Sequence, residues 1–464
     1  MKNKIARRES TKGLVRGIET FVEIIVLSLI YYLVWRAKYG DVGMFTYRGK
    51  YVIIGIYAII LYAVVENSDG FRFGDLRRFD LALAQWIGLG VTNVITYFQL
   101  SLINNGMLSP IPMLVLTVAQ AFIMTAFIYC YAHVYSRVYA PHKMLMIFGT
   151  DTALSLKIKL DSRHDKYNIK ELISAEEDFT KISEKMLQYD AVILNDVSAE
   201  RRNDILKFCY DHSIRVYVVP KITDVILRGA KDISLFDTPI FLVKGTGLTI
   251  TQKAAKRALD FILSLIAMIP AAPIMLFVAI AIKLEDGGPV FYKQARATKD
   301  NKVFDILKFR SMIVNAEAAG ISIPATGEDP RITKVGKLIR ATRIDELPQL
   351  INILKGDMSI VGPRPERVEH VEKYTNEIPE FKYRLKVKGG LTGYAQIYGK
   401  YNTSAYDKLR MDLMYIENYS FFLDLKLILT TIRIMFQKES TEGFEKQQEN
   451  AKLVEELIKE TEQN

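Results

Sequence analysis

Cysteine is nearly absent from the 464-residue chain, with Cys130 and Cys209 far apart in different kinds of segment. No disulfide framework or thiolate metal site is implied. A cleavable signal is lacking too, because the first apolar run is long and has no small-residue cleavage site. The dinucleotide fingerprint G-x-G-x-x-G is missing: only Gly149 occupies the first turn, in FGTDTALSLK. The segment 438–464 is charged and rich in Gln and Glu, at most a lone helix, and no function is assigned to it.

Long apolar runs and charge are what the chain has. Hydrophobic residues make up 50% and charged residues 25%, so membrane and water-facing parts must alternate. The net charge of +10 suits a nucleic acid or an anionic membrane surface. The apolar runs select the membrane, and no nucleic-acid partner is expected. Apolar stretches at 17–35, 51–66, 82–104 and 111–132 each approach the length that spans a bilayer, which predicts four transmembrane helices over 1–140. Lys2, Lys4, Arg7, Arg8, Lys12 and Arg16 place the N-terminus in the cytoplasm, together with the 67–80 loop and its Arg72, Arg77 and Arg78. The 36–50 loop argues the other way, with Arg36, Lys38, Arg48 and Lys50, and the N-terminal cluster is taken to decide.

Over 141–250 strand candidates (144–150, 191–197, 215–220) alternate with helical patterns (171–188, 199–212), which predicts a Rossmann-like α/β domain with a parallel sheet. Without the fingerprint, a regulatory or assembly role is the default for it. The next apolar segment, 261–283, is long enough to span, yet Pro270 and Pro273 interrupt it as IPAAP. Lys253, Lys256 and Arg257 before it and Lys283 after it prefer the same membrane face. A re-entrant helix-break-helix hairpin at Pro270, Ala272 and Pro273 satisfies both facts, and a kinked span is the alternative. Residues 404–421 and 424–436 read either as helices in the membrane interface or as core helices.

The chemistry concentrates between Asp329 and Pro365. Cations recur every third residue at Arg331, Lys334, Lys337, Arg340 and Arg343, followed by the carboxylate pair Asp345 and Glu346 and by the turn Gly362-Pro363-Arg364-Pro365. Asp345 reads as the N-cap of a helix with Pro348 in its first turn, the stripe Leu347, Leu350, Ile351, Leu354, and an end at Gly356. Adjacent helical residues point about 100° apart, so the two carboxylates can address different partners. Cations three apart stay on one side of a helix for two turns and suit a polyanionic ligand. A nucleophile, a divalent cation and guanidinium groups are the parts that phosphoryl transfer requires. The plain alternative is a helix cap beside a solvated basic face.

From Lys256 to Thr431 the motifs recur in an order that resembles the bacterial sugar transferases, the polyprenyl-phosphate hexose-1-phosphate or monotopic phosphoglycosyl transferases. They are Lys256-Arg257 with Asp260, FYKQAR from Phe291, KFRSM from Lys308, DPRIT from Asp329, IDELPQL, GDMSIVGPRP, and LTGYAQIYG from Leu391. The chain departs from the family pattern at Ala272-Pro273, where Ser-Pro is usual, at Thr298, where glycine is usual, and at Lys388-Gly389-Gly390, where R-P-G is usual.

The resemblance implies a mainly α catalytic domain over 251–437 that moves sugar 1-phosphate from a UDP-sugar to undecaprenyl phosphate and releases UMP. It implies the cytoplasmic membrane, with the site facing the cytoplasm, as the location, and a capsule, exopolysaccharide or O-antigen as the pathway. Asp345 is then the nucleophile and Glu346 the Mg²⁺ ligand. Arg340, Arg343, Arg364 and Lys308 contact phosphate, while Arg296 and Arg310 either grip a diphosphate or support the fold. A UDP-releasing glycosyltransferase and a non-catalytic scaffold are the rival readings. The sequence leaves open the sugar (glucose, galactose or N-acetylated), a homodimer, and polysaccharide-assembly regulators as partners.

Overall fold

The computed structural model describes residues 2–40, 49–73, 76, 78–138, 142–150, 152–161, 167–235, 237–314, 316, 329–399 and 403–435. The tail 438–464 and the loop cations Arg48 and Arg77 lie outside them. Two units meet in sequence between Val219 and Pro220.

The first unit begins with α1 (Lys2–Lys38), α2 (Gly49–Asn67), α3 (Arg78–Ile103) and α4 (Ile111–Val138). Each holds a stretch long and apolar enough to cross a membrane, of 26, 19, 26 and 23 residues in turn. Lipid-facing helices gain little from apolar burial, so polar contacts contribute to their association. Tyr57 Oη donates to Asn93 Oδ1 at 3.0 Å, Asn93 Nδ2 to Gln120 Oε1 at 3.0 Å, and Gln120 Nε2 to the Leu27 carbonyl at 3.0 Å. That chain of amides ties all four helices together.

A four-stranded parallel sheet follows. Its elements are β1 (His142–Phe148), α5 (Thr152–Asp161), β2 (Tyr167–Ser174), α6 (Phe179–Met186), β3 (Ala191–Asn195), α7 (Ala199–Asp211) and β4 (Arg215–Val218), in the order β2-β1-β3-β4. The central strands β1 and β3 are almost continuously apolar because both their faces are covered. Leu145, Ile147, Val192 and Leu194 meet Ile182 of α6 and Ile205 of α7 on one side. Met144, Met146 and Ile193 meet Ala153 of α5 on the other. Where the strand order reverses, the Gly149 amide donates to the Asn195 carbonyl at 3.0 Å. A Cβ on Gly149 would collide with the Asp196 carbonyl, so this glycine serves the close approach of two strand ends.

The second unit opens with α8 (Ile222–Arg228) and the hairpin β5 (Lys231–Leu235) and β6 (Thr238–Leu242). The sequence reading groups residues 220–250 with the parallel sheet. Instead Ile222 and Val225 of α8 enter a core with Leu409, Leu413 and Ile416, which moves the boundary to residue 220. Next come α9 (Ile250–Asp286), the antiparallel pair β7 (Phe291–Ala297) and β8 (Val303–Phe309), α10 (Lys334–Ala341), α11 (Gln349–Lys355), β9 (Ser359–Val361) and α12 (Val368–Glu377). Then β10 (Gly390–Thr392), parallel to β9, precedes α13 (Tyr394–Tyr398), α14 (Ala405–Glu417) and α15 (Phe421–Met435). Of the two readings for these last helices, α14 is core, with Leu409, Leu413 and Tyr415 buried. The next helix, α15, buries Leu427 and Asp424 while leaving Phe421 and Ile432 exposed.

The break expected at Pro270, Ala272 and Pro273 does not divide α9 into two helices. One α-helix runs from the Thr249 cap to Gly287 with both prolines inside. Each proline removes a single backbone donor. Met268, Ala271 and Met275 brace the interrupted turns against Ile306, Leu350 and Ile353. Both ends are anchored to the same unit. At the start, Lys256 pairs with buried Asp424 at 2.7 Å, Arg257 donates to the Ile353 and Leu354 carbonyls that end α11, and Asp260 accepts from Ser359 Oγ and the Ile360 amide. At the finish, Glu285 accepts from the first amides of α10, and Asp286 holds Arg310. Ile262, Leu265, Ile269, Leu276, Phe277 and Ile280 remain exposed, an apolar outer face along the helix.

Candidate active site

The site is built where α10 ends. Thr333 caps α10 by accepting from the Gly336 amide, and the helix closes at Ala341. Arg343 then adopts φ +56°, a left-handed conformation that costs an L-residue about 1 kcal/mol and turns the chain sharply. A 3-10 turn, Ile344–Glu346, follows, and α11 starts only after Pro348. This corrects the expected N-cap: Asp345 lies in the turn before the helix, and the cap position of α11 is Pro348, which makes no side-chain cap bond. The cation row is shortened for the same reason. Lys334, Lys337 and Arg340 share α10, Arg331 precedes it and pairs with Asp329 at 2.6 Å, and Arg343 lies beyond its end.

The tight turn leaves the two carboxylates in different surroundings. Glu346 Oε1 accepts from Lys308 Nζ and from an Arg364 terminal nitrogen, both at 3.0 Å, and its Oε2 stands 3.9 Å from Arg343. Burial pushes the Glu346 carboxyl up, but Arg364 and Lys308 outweigh it and hold the group well below the ordinary range. Asp345 has no hydrogen-bond partner among the described residues. Burial and the adjacent Glu346 raise its carboxyl above the usual value, against the pull of Lys308, Arg340 and Arg343. Lys308, drawn down by its own burial, sits on β8 at the point that faces this turn.

Arg364 reaches the site from a turn with four consecutive carbonyls pinned. Gly390 N donates to the Pro363 oxygen at 2.9 Å and Arg384 to the Arg364 oxygen at 3.0 Å. Arg296 donates to the Pro365 oxygen at 3.1 Å and Ala297 N to the Glu366 oxygen at 3.0 Å. A turn so constrained presents its guanidinium with little freedom, which is preorganisation in the structural sense.

The departures from the family pattern fit here. Thr298 Oγ1 accepts from the Gly389 amide and donates to the Asp357 carbonyl, and Gly389 lies where a Cβ would press on the Pro365 ring at 2.5 Å.

The predicted site residues therefore separate. Asp345, Glu346, Lys308, Arg343 and Arg364 come together, with Arg340 close enough to act on Asp345. Arg296 supports the Pro365 carbonyl, and its guanidinium is drawn down to about 10 by burial and by Arg364. Arg310 is engaged by both oxygens of Asp286. Sequence reading missed Arg384 and Asp412, a buried pair at 2.8 Å behind Arg364. The one available signal was an acidic residue within the apolar stripe Leu409, Leu413, Ile416 of α14.

Residues 251–438 match the family described as bacterial sugar transferase. The chain is 39% identical over 254 residues to a UDP-N-acetylgalactosamine-undecaprenyl-phosphate N-acetylgalactosaminephosphotransferase of Aeromonas hydrophila, covering 53% of this chain and 59% of the relative. It is 40% identical over 211 residues to the UDP-glucose:undecaprenyl-phosphate glucose-1-phosphate transferase of Escherichia coli (strain K12), 44% of each chain. With the uncharacterized sugar transferase EpsL of Bacillus subtilis (strain 168) it shares 40% identity over 184 residues, 40% of this chain and 88% of the relative. The chain thus spans about half the length of the first two relatives and nearly all of the third.

Proposed function

The chain belongs to the bacterial sugar transferase family, and from that premise we propose that it transfers sugar 1-phosphate from a UDP-sugar to undecaprenyl phosphate. The observation that carries this reading is the division of labour at residues 345 and 346: one carboxylate with no hydrogen-bond partner among the described residues beside one held by cations. An Asp345 oxygen attacks the phosphorus that bears the sugar. The phosphorus–oxygen bond to UMP breaks, and UMP leaves with the electron pair. A phosphate oxygen of undecaprenyl phosphate then attacks the acyl phosphate, the bond to Asp345 breaks, and the carboxylate returns as undecaprenyl-diphosphate-sugar forms. Two anionic substrates thereby use one site in turn. Arg364, Arg343 and Arg340 stabilise the transferring phosphoryl oxygens, and Lys308 keeps Glu346 ionised.

Among the described residues no three His, Cys, Asp or Glu side chains form a cation cage. Mg²⁺ does not need one, since it is commonly held by one or two carboxylates together with substrate phosphates. Glu346 fits that donor set through Oε2, because Oε1 already accepts from Lys308 and Arg364. When bound, the cation supplies charge neutralisation on the diphosphate. The anchoring of both ends of α9 to one unit, with an apolar outer face, supports a helix that enters the cytoplasmic membrane and does not cross it. The catalytic unit then faces the cytoplasm, where UDP-sugars are.

Purified protein with Mg²⁺, undecaprenyl phosphate and a panel of UDP-glucose, UDP-galactose and their N-acetylated forms tests the reading. Lipid-dependent UMP release is expected, and the sugar that works identifies the donor. Release of UDP would establish glycosyl transfer instead and remove Asp345 as the phosphoryl acceptor.

A further inference from the structure

One wall of this site has no role in the steps above. In the β7–β8 pair Tyr292 lies opposite Lys308, Gln294 opposite Ile306, and Arg296 opposite Phe304. Residues opposite one another share a sheet face, so Tyr292, Gln294 and Arg296 occupy the face from which Lys308 reaches Glu346. The alternate residues point away, and there Phe291 stacks on Phe309 at 5.5 Å.

The row is joined by hydrogen bonds to the Arg364 turn. Arg296 donates to the Pro365 carbonyl with one terminal nitrogen and to Gln294 Oε1, at 2.5 Å, with the other. A guanidinium has no acceptor, so the atom that meets it must be the amide oxygen, and Gln294 Nε2 points onward along the strand. That nitrogen donates to Tyr292 Oη at 3.2 Å and has a second hydrogen to offer. Tyr292, 37% exposed, supplies an aromatic face beside it.

We infer that Tyr292 and Gln294 form the subsite that reads the base of the donor nucleotide, with Arg296 as the positioning residue that fixes the amide. The inference rests on the donor being a nucleoside-diphosphate sugar. An outward amide N–H meets a carbonyl acceptor on a uracil edge, whereas cytosine presents an amino group there and the two donors oppose each other. Stacking on Tyr292 is tolerant of base identity, so the aromatic ring supplies affinity and the amide supplies selectivity. Because Arg296 touches both Gln294 and the turn that carries Arg364, base and phosphate recognition are held in one register.

Full-length purified protein is tested by calorimetric binding of UMP and CMP alone and by lipid-dependent UMP release. Gln294→Ala is expected to raise the KM for the UDP-sugar about tenfold, the loss of one hydrogen bond, and to leave the KM for undecaprenyl phosphate unchanged. Tyr292→Ala is expected to weaken UMP and CMP alike. Gln294→Glu, nearly isosteric and paired with Arg296, presents an acceptor and is expected to move the UMP-to-CMP preference toward CMP. An unchanged affinity ratio in both Gln294 variants, at wild-type melting temperature, would overturn the inference, as would an effect confined to the lipid KM. If the wild-type protein releases no UMP, the transfer reading fails while the UMP and CMP titrations still decide the subsite.

Discussion

Asp345 and Glu346 are neighbours in sequence with opposite electrostatic fates. Glu346 is held ionised by Arg364 and Lys308, while Asp345 is raised by burial and by Glu346 itself. The proposed mechanism needs Asp345 ionised to attack, so activity is expected to fall on the acid side at a higher pH than an ordinary aspartate would give. Lys308 favours the charged form of Asp345, and Lys308→Met is therefore expected to move the acid limb of the pH–rate profile further upward. Asp345→Asn is expected to lower transfer by a factor of about 10³ or more in a protein of unchanged melting temperature. Glu346→Gln keeps an acceptor for Lys308 and Arg364 but removes the charge that a divalent cation needs. Its expected signature is a shift of the Mg²⁺ titration to higher concentration.

At the scale of elements, the pinned turn depends on a pair of residues far away in sequence. Asp412→Ala leaves Arg384 buried beside only the more distant Glu366, and a loss of about 3 kcal/mol in denaturant unfolding is expected. Arg384→Met combined with Asp412→Leu is expected to restore most of that stability. It is not expected to restore turnover, because the Arg364 carbonyl still lacks its donor.

The long apolar helices and the strands β1, β3 and β4 were legible as apolar runs, and the carboxylate pair with its arginines as a motif. The end of β2, in contrast, fell inside the helical pattern expected at 171–188, and the strands of the second unit were not expected. What sequence could not supply was the local departure or the distant partner. The left-handed Arg343 is an ordinary arginine to any propensity scale, yet it keeps Asp345 out of the cap position. Pro270 and Pro273 read as a break, and only the packing of Met268, Ala271 and Met275 carries the helix through. Proline bends the helix it interrupts, so replacing both by alanine is expected to change the path of α9 and to strain the Lys256–Asp424 or Asp286–Arg310 anchor, read as altered thiol labelling of an introduced Leu284→Cys.

For the whole molecule, the division at residue 220 has a functional counterpart. The Bacillus subtilis relative matches 184 residues of this chain over 88% of its own length, close in size to the family match at 251–438, which lies within the second unit. A chain restricted to residues 220–437 is expected to sediment with membranes through α9 and to retain lipid-dependent UMP release at a measurable fraction of the full rate. Transfer activity found only when the first unit is present would tie catalysis to the N-terminal helices.

The buried Lys256–Asp424 pair also sets the earliest moment at which the second unit can close on this anchor. Its partners are 168 residues apart, and at about 5–20 residues per second the ribosome takes roughly 8–34 s to deliver the second after the first. Throughout that interval the apolar face of α9 is already made while the start of the helix waits for α15. The second unit cannot close on this anchor before residue 424 is made, and with α9 in the membrane as proposed, a nascent chain stalled before residue 424 is expected to be membrane-bound and still without its last anchor.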